Sequence, residues 1–244
     1  MNGLFRRVAT GVAAVSLLAG CAIRFFTAGE PQPFDIDCGG TFTASYTGQA
    51  NDSYVVVTVD NTGRCRIEAK TSTGDEEIDL MRIEPGKRAV AVADNPDEDQ
   101  VLTVALHCAG EAADGKCRGT IRIAAARRAR KGGAAMLTAF NLPRETLSTG
   151  DCGGTRELGS FTNRLEDPMP LWIRVTNTGT CNIFKVDVTV DGTPRPVEDA
   201  EGGRPTETQG TIPGGKTAVL VAGCAESTEA SPDCAGAVEV TLRQ

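Results

Sequence analysis

Apolar and polar residues alternate along Leu171–Thr176 (LWIRVT), and a matching run of β-branched residues spans Tyr54–Asp60 (YVVVTVD). Asn-Thr-Gly, a turn signal, directly follows both segments. Alternation of this kind is the period of a half-buried strand. Further short strands are predicted at Arg88–Ala93, Val101–His107, Gly119–Ile123, Lys185–Asp191, Thr217–Ala222 and Ala237–Leu242. Short strands with frequent turns favour a β-sandwich.

The alternation also assigns faces, because successive side chains of a strand point to opposite sides of the sheet. The apolar set, expected in the core, is Leu171, Ile173 and Val175, with Val55, Val57 and Val59 in the matching strand. The opposite face carries Trp172, Arg174 and Thr176, with Val56, Thr58 and Asp60. A tryptophan beside an arginine is typical of an interface hot spot. We therefore expect Trp172 and Arg174 to contact the first domain or a partner protein; the alternative is that Trp172 packs against residues 136–140 or beneath a loop.

The sequence contains an internal duplication. Three motifs recur: Asp37–Thr41 at Asp151–Thr155, Asn61–Cys65 at Asn177–Cys181, and Pro-Gly-Lys at 85–87 as Gly-Gly-Lys at 214–216 after Pro213. The four matching cysteines of the two copies lie 114, 116, 116 and 117 positions apart. Nearly constant spacing indicates a repeat, and each copy has about the length of one immunoglobulin-like sandwich.

The order of strand, Asn-Thr-Gly, strand and Pro-Gly-Lys resembles the bacterial immunoglobulin-like modules of cell-surface and envelope proteins, including the CARDB type. This resemblance covers both copies. It implies an all-β fold of two tandem immunoglobulin-like β-sandwich domains, at 34–125 and 148–244. Residues 126–147, which include the basic run Arg127–Lys131, are expected to form a linker and lead-in. Binding of anionic lipid headgroups is the alternative for this basic run.

The N-terminus reads as a targeting segment. Arg6 and Arg7 precede the apolar stretch Val8–Leu18, which is too short for a stable membrane span. Leu18-Ala19-Gly20-Cys21 resembles the lipobox of bacterial lipoproteins, which implies cleavage after residue 20, acylation of Cys21 and a tether at 21–33. The alternatives are an ordinary signal peptide or an uncleaved anchor. Ala22 in place of Asp favours outer-membrane sorting by the same resemblance.

Nine cysteines divide into Cys21 and two sets of four. Even sets in an exported protein imply disulfides. Four cysteines allow three connectivities, and the spacing favours sequential pairing: Cys38 with Cys65, Cys108 with Cys117, Cys152 with Cys181, and Cys224 with Cys234. Zinc is not expected, because the chain lacks Cys-x-x-Cys and has a single histidine, His107.

Charge and composition exclude several functions. The net charge is −7 and aromatic residues make up 5% of the chain, which argues against nucleic-acid binding. The acidic runs Asp75–Glu77 and Asp94–Asp99 lie between predicted strands, where solvated loop acids are the default. Calcium at the second run is an open possibility, although its spacing misses the EF-hand pattern. No nucleophile elbow or phosphate loop occurs, and Ser148 and Ser160 lack an activating histidine.

These observations together predict a non-enzymatic protein of the bacterial cell envelope. Its only attached group would be a covalent lipid on Cys21, with no other cofactor and no metal. It would bind another envelope protein as an accessory or scaffold subunit, or as an adhesion module. The alternative is a ligand-binding or inhibitor lipoprotein that uses a loop end of a sandwich.

Overall fold

The computed structural model describes residues 26–49, 52–74, 76–110, 115–127, 136–148, 152–196, 200–201, 203–225 and 233–243. The regular structure in these ranges is β-strand throughout, so the predicted all-β fold of disulfide-bonded sandwich layers is confirmed. The same ranges contain no helix long and apolar enough to cross a bilayer.

The strands, in chain order, are β1 Phe26–Ala28, β2 Gln32–Asp37, β3 Thr41–Thr47, β4 Asp52–Asn61, β5 Arg66–Thr73, β6 Glu76–Ile83, β7 Arg88–Asp94, β8 Val101–Ala109 and β9 Lys116–Arg127 in the first half. The second half contains β10 Met136–Ser148, β11 Thr155–Asn163, β12 Met169–Asn177, β13 Ile183–Val190, β14 Thr193–Pro196, β15 Ala200–Glu201, β16 Pro205–Ile212, β17 Thr217–Ala225 and β18 Cys234–Arg243.

These strands form three sheets. One sheet of ten strands, which we name the shared sheet, has the order β1-β9-β4-β7-β11-β17-β13-β14, with β2 also beside β9 and β15 beside β13. The first outer sheet has the order β3-β8-β5-β6, and the second outer sheet the order β10-β18-β12-β16. The shared sheet therefore runs through both halves of the chain.

The two halves repeat the same strand pairing. In the first half β4 lies between β9 and β7, and in the second β12 lies between β18 and β16. Val57 is level with Ala91 across the first pair, and Ile173 is level with Thr208 across the second. These positions lie 116 and 117 residues apart, as the matching cysteines do. The pairing thus makes β16 the repeat equivalent of β7. Strand β11 is likewise the equivalent of β3, because Ser160 and Ser45 are level with Val219 and Thr103, which lie 116 positions apart.

A parallel strand pair joins the halves. Strand β7 of the first half pairs with β11 of the second, with Val90 level with Phe161 and Ala89 level with Ser160. All of the other strand pairs that the structure describes are antiparallel. We call this parallel pair the junction.

The outer sheets pack on opposite faces of the shared sheet. Val55, Val57 and Val59 of β4 belong to a core with the first outer sheet. Tyr54 and Val56 of the same strand belong to the other core, which contains the second outer sheet. Because neighbouring residues of a strand face opposite sides, the two outer sheets lie on different sides.

The predicted core face is correct in both copies, since its six members are at most 1% exposed. The opposite face differs between copies. Val56 is 2% exposed, whereas Trp172 is half-buried and Arg174 is exposed. Val56 is buried because the second half of the chain covers this side of β4.

Asparagine side chains fix three strand ends. The amide of Asn61 donates to the carbonyls of Cys65 and Ile83, at 2.9 and 3.2 Å, while its oxygen accepts from the N–H of Gly63. Asn177 makes the same kind of bonds after β12. Asn163, at the end of β11, also does so. Each closes a corner whose buried backbone groups would otherwise lack partners.

The sequence predicted that Gly214–Lys216 is the repeat equivalent of Pro-Gly-Lys at 85–87, and this prediction is wrong. Residues 85–87 connect β6 to β7, whereas residues 214–216 connect β16 to β17. The equivalent of Lys87 is Arg204, whose N–H donates to the Glu201 carbonyl at 3.0 Å, as that of Lys87 does to Glu84 at 3.1 Å. The two Gly-Lys pairs are alike because both turns need a glycine with positive φ before the lysine.

The predicted boundaries also need correction. Within the tether proposed at 21–33, β1 pairs with β9 and β2 has begun. The linker proposed at 126–147 includes the end of β9 and most of β10, which is a strand of the second outer sheet. Residues 128–135 lie outside the described ranges.

Trypsin is expected to cut first within Arg127–Lys131, because trypsin cleaves after arginine and lysine and four of the five residues in this run are basic. We expect the two fragments to stay together in native buffer, since the junction and its core connect the halves without this segment. Size-exclusion chromatography of the nicked protein, with and without urea, measures this. Fragments that separate in native buffer would contradict the shared sheet.

Candidate functional site

The eight cysteines of the two repeats form four disulfides: Cys38–Cys65, Cys108–Cys117, Cys152–Cys181 and Cys224–Cys234. This is the sequential pairing predicted from the spacing. The two bridges of each half lie close together, with the Cys38 and Cys108 sulfurs 3.9 Å apart. Sulfur clusters of this kind have the proximity of a metal site. Because every sulfur is in a disulfide, these clusters lack the thiolates that zinc requires.

Trp172 and Arg174 lie on the outer face of the second outer sheet. Trp172 is level with Gln209 of β16 and Thr241 of β18. Arg174 is level with Glu207 and forms an ion pair with it at 3.7 Å. Pro170, Arg174, Glu207 and Gln209 are exposed around the half-buried indole. We call these five residues the Trp172 face.

The repeat shows what this face corresponds to in the first half. Counting back 116 or 117 positions, the equivalents are Tyr54 for Pro170, Val56 for Trp172, Thr58 for Arg174, Val90 for Glu207 and Val92 for Gln209. Four of these equivalents, all except Thr58, are at most 3% exposed. The same four belong to the core that contains Phe161, Leu165 and Met169 of the second half. The Trp172 face is therefore the repeat counterpart of a surface that is buried inside the chain.

A cleft of about 710 Å³ lies where β6 of the first outer sheet meets β11 and β17 of the shared sheet. Hydroxyl groups of Ser160, Thr162 and Thr217 line it, and the last two are hydrogen-bonded to each other at 3.0 Å. Its charged lining residues come from both halves: Glu68, Lys70, Asp79, Arg82, Glu157 and Arg164. The cleft is thus polar, with equal numbers of basic and acidic side chains.

Two side chains bridge the halves beside this cleft. The guanidinium Nε of Arg164 donates to the carbonyl of Leu80 at 3.0 Å. The Nζ of Lys87 donates to the carbonyl of Glu157 at 3.2 Å. Leu80 is the extra residue of a bulge in β6, the terminal strand of its sheet. Arg164 and the bulge together disrupt further strand addition along β6.

The acidic run Asp94–Asp99 connects β7 to β8 and is the repeat counterpart of the turn at Pro213–Lys216. Asp99 has φ 67°, close to the 69° of Gly215. Its N–H donates to the Gly48 carbonyl at 3.1 Å, and that of Gln100 donates to the Asp97 carbonyl at 3.0 Å. Among the described residues, the groups of three side chains placed to hold a metal are the two cysteine sets. The geometry of this run accounts for a turn and gives no support to calcium.

A smaller pocket is lined by Thr62, Gly63, Arg64, Lys116 and Arg118. Two of its three cations, Lys116 and Arg118, already have acidic neighbours. Lys116 lies 3.2 Å from Asp37 and 3.3 Å from Asp35, and Arg118 lies 3.0 Å from Asp35. Hydrogen bonds to Asp37 and then Asp35 raise the pKa of Lys116. These ion pairs leave little positive charge for an anionic ligand.

The remaining predicted residues are not brought to one site. His107 is exposed on β8, with Nδ1 3.5 Å from the Thr41 hydroxyl. Glu77 of the first acidic run pairs with Lys70 at 2.6 Å. Cys21 and Asp75 lie outside the described residues, as does the side chain of Ser148.

Sequence reasoning missed the residues of β4 and β7 that the second half of the chain buries. Tyr54 is fully buried, its hydroxyl has no hydrogen-bond partner among the described residues, and burial raises the pKa of this phenol to about 12. A signal for this burial was present: β7 reads Ala-Val-Ala-Val at 89–92. A continuous apolar run is typical of a strand that is covered on both faces.

No protein-family model matches this chain, and no curated protein matches it. Solved structures show distant likenesses. The chain is 10% identical to a structure of Sulfolobus turreted icosahedral virus, with 98% of this chain and 99% of that chain covered and a TM-score of 0.28. The chain is 12% identical to a structure of infectious bursal disease virus strain Gx, with 90% of this chain and 71% of that chain covered and a TM-score of 0.34. It is 10% identical to the tandem CBM22 domains of Paenibacillus barcinonensis Xyn10C, with 88% of this chain and 92% of that chain covered and a TM-score of 0.27. Likenesses this distant carry no argument about function.

Proposed function

We propose that this chain is a non-enzymatic protein of the bacterial cell envelope, anchored by lipid on Cys21, that binds another protein through the Trp172 face. The observation that supports the binding surface is its repeat relation to Tyr54, Val56, Val90 and Val92. In the first half that surface is buried against polypeptide. The same position in the second half carries an indole and an arginine, the residue types that dominate protein interfaces.

The chemistry of the face fits a partner that binds reversibly. Its centre is one half-buried aromatic ring, and its rim is the Arg174–Glu207 ion pair and the Gln209 amide. A polar rim around an apolar centre is the ordinary anatomy of non-obligate interfaces. The four disulfides support an oxidising location outside the cytoplasm.

Trp172→Ala is expected to reduce partner binding by about thirtyfold or more, which corresponds to the loss of about 2 kcal/mol that defines a hot spot. The free energy of unfolding should change by less than about 1 kcal/mol, because the side chain lies outside the core. The measurement is the yield of a defined cross-linked adduct in intact cells, together with thermal unfolding of the purified chain.

Two variants serve as controls for Trp172→Ala. Arg195→Ala, exposed on β14 of the shared sheet, should leave the adduct unchanged. Ile173→Ala, the buried neighbour, should cost about 2–5 kcal/mol of stability. A comparable stability loss in Trp172→Ala would assign the indole to the core instead.

Cys21→Ser is expected to abolish acylation and leave the unprocessed precursor, because the thiol is the acylation site of the lipobox that residues 18–21 resemble. Intact-mass measurement of the membrane fraction tests this. A wild-type mature protein that starts at another residue, or that lacks acyl mass, would overturn the proposed anchor.

A second candidate function is favoured by the cleft between the halves. Its volume is that of a small-molecule site, and its hydroxyls and balanced charges suit a polar, net-neutral ligand. A ligand in this cleft would lie on the flank of a sheet and away from the loop ends. Thr162→Val keeps the shape of the side chain and removes a hydroxyl from the cleft. It should weaken the binding of such a ligand and leave the yield of the Trp172-dependent adduct unchanged.

A further inference from the structure

The junction defines how one repeat extends another. Strand β11 adds in parallel to β7, and the outer face of the first half is covered at the same time. The acceptor strand of the second half is β16, the terminal strand of its sheet among the described strands. The donor strand of the first half is β3, which is likewise terminal in the first outer sheet.

We propose that the occupant of the Trp172 face is a second copy of this chain, whose β3 adds in parallel to β16 as β11 adds to β7. This inference rests on the proposed function, because it identifies the partner at the same surface. One chain carries both the acceptor edge and the donor edge, so the contact is head-to-tail. Contacts of this kind leave a new acceptor after each addition and build rings or open chains.

The repeat offsets fix the register of this contact. Ser160 and Phe161 of β11 correspond to Ser45 and Tyr46 of β3, and Ala89 and Val90 of β7 correspond to Thr206 and Glu207 of β16. Tyr46 of one copy is therefore level with Glu207 of the next.

The composition of β16 sets the strength of the contact. Where β7 has Ala-Val-Ala-Val, the equivalent positions 206–209 of β16 are Thr-Glu-Thr-Gln. Replacing a continuous apolar run by polar residues removes most of the hydrophobic gain on burial. The contact between copies is accordingly reversible, whereas the junction within the chain is permanent.

Photo-cross-linking of the full chain in its native membranes tests the occupant. The photoreactive residue replaces Gln209, and mass spectrometry of the native membranes identifies any cross-linked protein. In a parallel sample, ¹⁵N-labelled and unlabelled chains are mixed in vesicles reconstituted from these membranes to identify adducts between copies. We expect mixed-isotope adducts at residues 41–48, and a ladder of dimer, trimer and larger species. The same photoreactive residue at Arg195 should give none of them.

Each other outcome has a defined meaning. An adduct with a different protein and none between copies overturns this inference and leaves the proposed function standing. The absence of any adduct overturns both. A closed dimer that adds no third copy overturns the head-to-tail geometry.

Charge variants at Tyr46 test the register. Tyr46→Glu places a carboxylate level with Glu207 and should weaken self-association by up to about fivefold, whereas Tyr46→Lys should strengthen it by a similar factor. If only the loss of the Tyr46 ring mattered, the strength of self-association would change in the same direction in both variants. Sedimentation velocity of the detergent-purified chain measures this self-association. If both variants weakened it equally, the proposed register would be overturned.

Discussion

Phe161→Ala is expected to lower the free energy of unfolding of the whole chain by about 3–5 kcal/mol, the cost of removing a buried aromatic side chain. Phe161 is 1% exposed, lies beside Val90 across the junction and belongs to the core that both halves form. Because this core spans the halves, both should lose stability. Chemical denaturation followed by hydrogen exchange in each half measures the effect.

The repeat supplies a matched control for Phe161→Ala. Tyr46 occupies the equivalent position on β3, at the outer edge of the first half, and is only half-buried. Tyr46→Ala should therefore cost clearly less. If Phe161→Ala lowered protection only in the second half, the halves would be independent domains and the shared core would not couple them.

Removal of one long-loop disulfide is the second large effect. Replacing Cys38 and Cys65 together by alanine should cost about 3.5 kcal/mol in the chain-entropy model, because the bridge closes a loop with a separation of 27 residues. The Cys108–Cys117 bridge has a separation of 9 and should cost about 2.6 kcal/mol. Urea unfolding of the two double variants compares them directly.

Peptide mapping without reduction checks the premise of the disulfide prediction. It should show the four bridges within the halves and no free thiol at these eight cysteines. A bridge between a cysteine of the first half and one of the second would contradict both the duplication and the calculated loop lengths.

The corrected turn at 85–87 shows how local chemistry can mislead a repeat search. Lys87 and Lys216 follow glycines with φ 72° and 69°, so both turns select the same short motif. Their places in the fold differ, and the true counterpart of Gly215 is Asp99, which the sequence presents as part of an acidic run. Turn residues depend on the local backbone conformation, so similar turn motifs do not prove equivalent positions in two repeats. Strand pairing is what identifies equivalent positions in the fold.

For this protein the sequence determined the features that follow from strand periodicity and from the spacing of the cysteines. The core face of β4 and β12, the duplication and the four disulfides follow from alternation and from counted intervals between cysteines. Alternation also identified Trp172 and Arg174 as candidate interface residues. It did not show that the equivalent surface of the first half is buried.

The tertiary structure decided which strand edges meet. No local pattern specifies that β7 pairs with a strand some 70 residues later, since a parallel pair between distant segments depends on how two complete sandwiches dock. The pairing buries Val56 and Val90 and creates the cleft lined by Arg164. It leaves Trp172, at the same position of the repeat, on the outer face. Identical strand periodicity thus gave a buried face in one copy and an outer face in the other, because burial depends on the neighbour that covers a face, and the alternation specifies only which side chains share it.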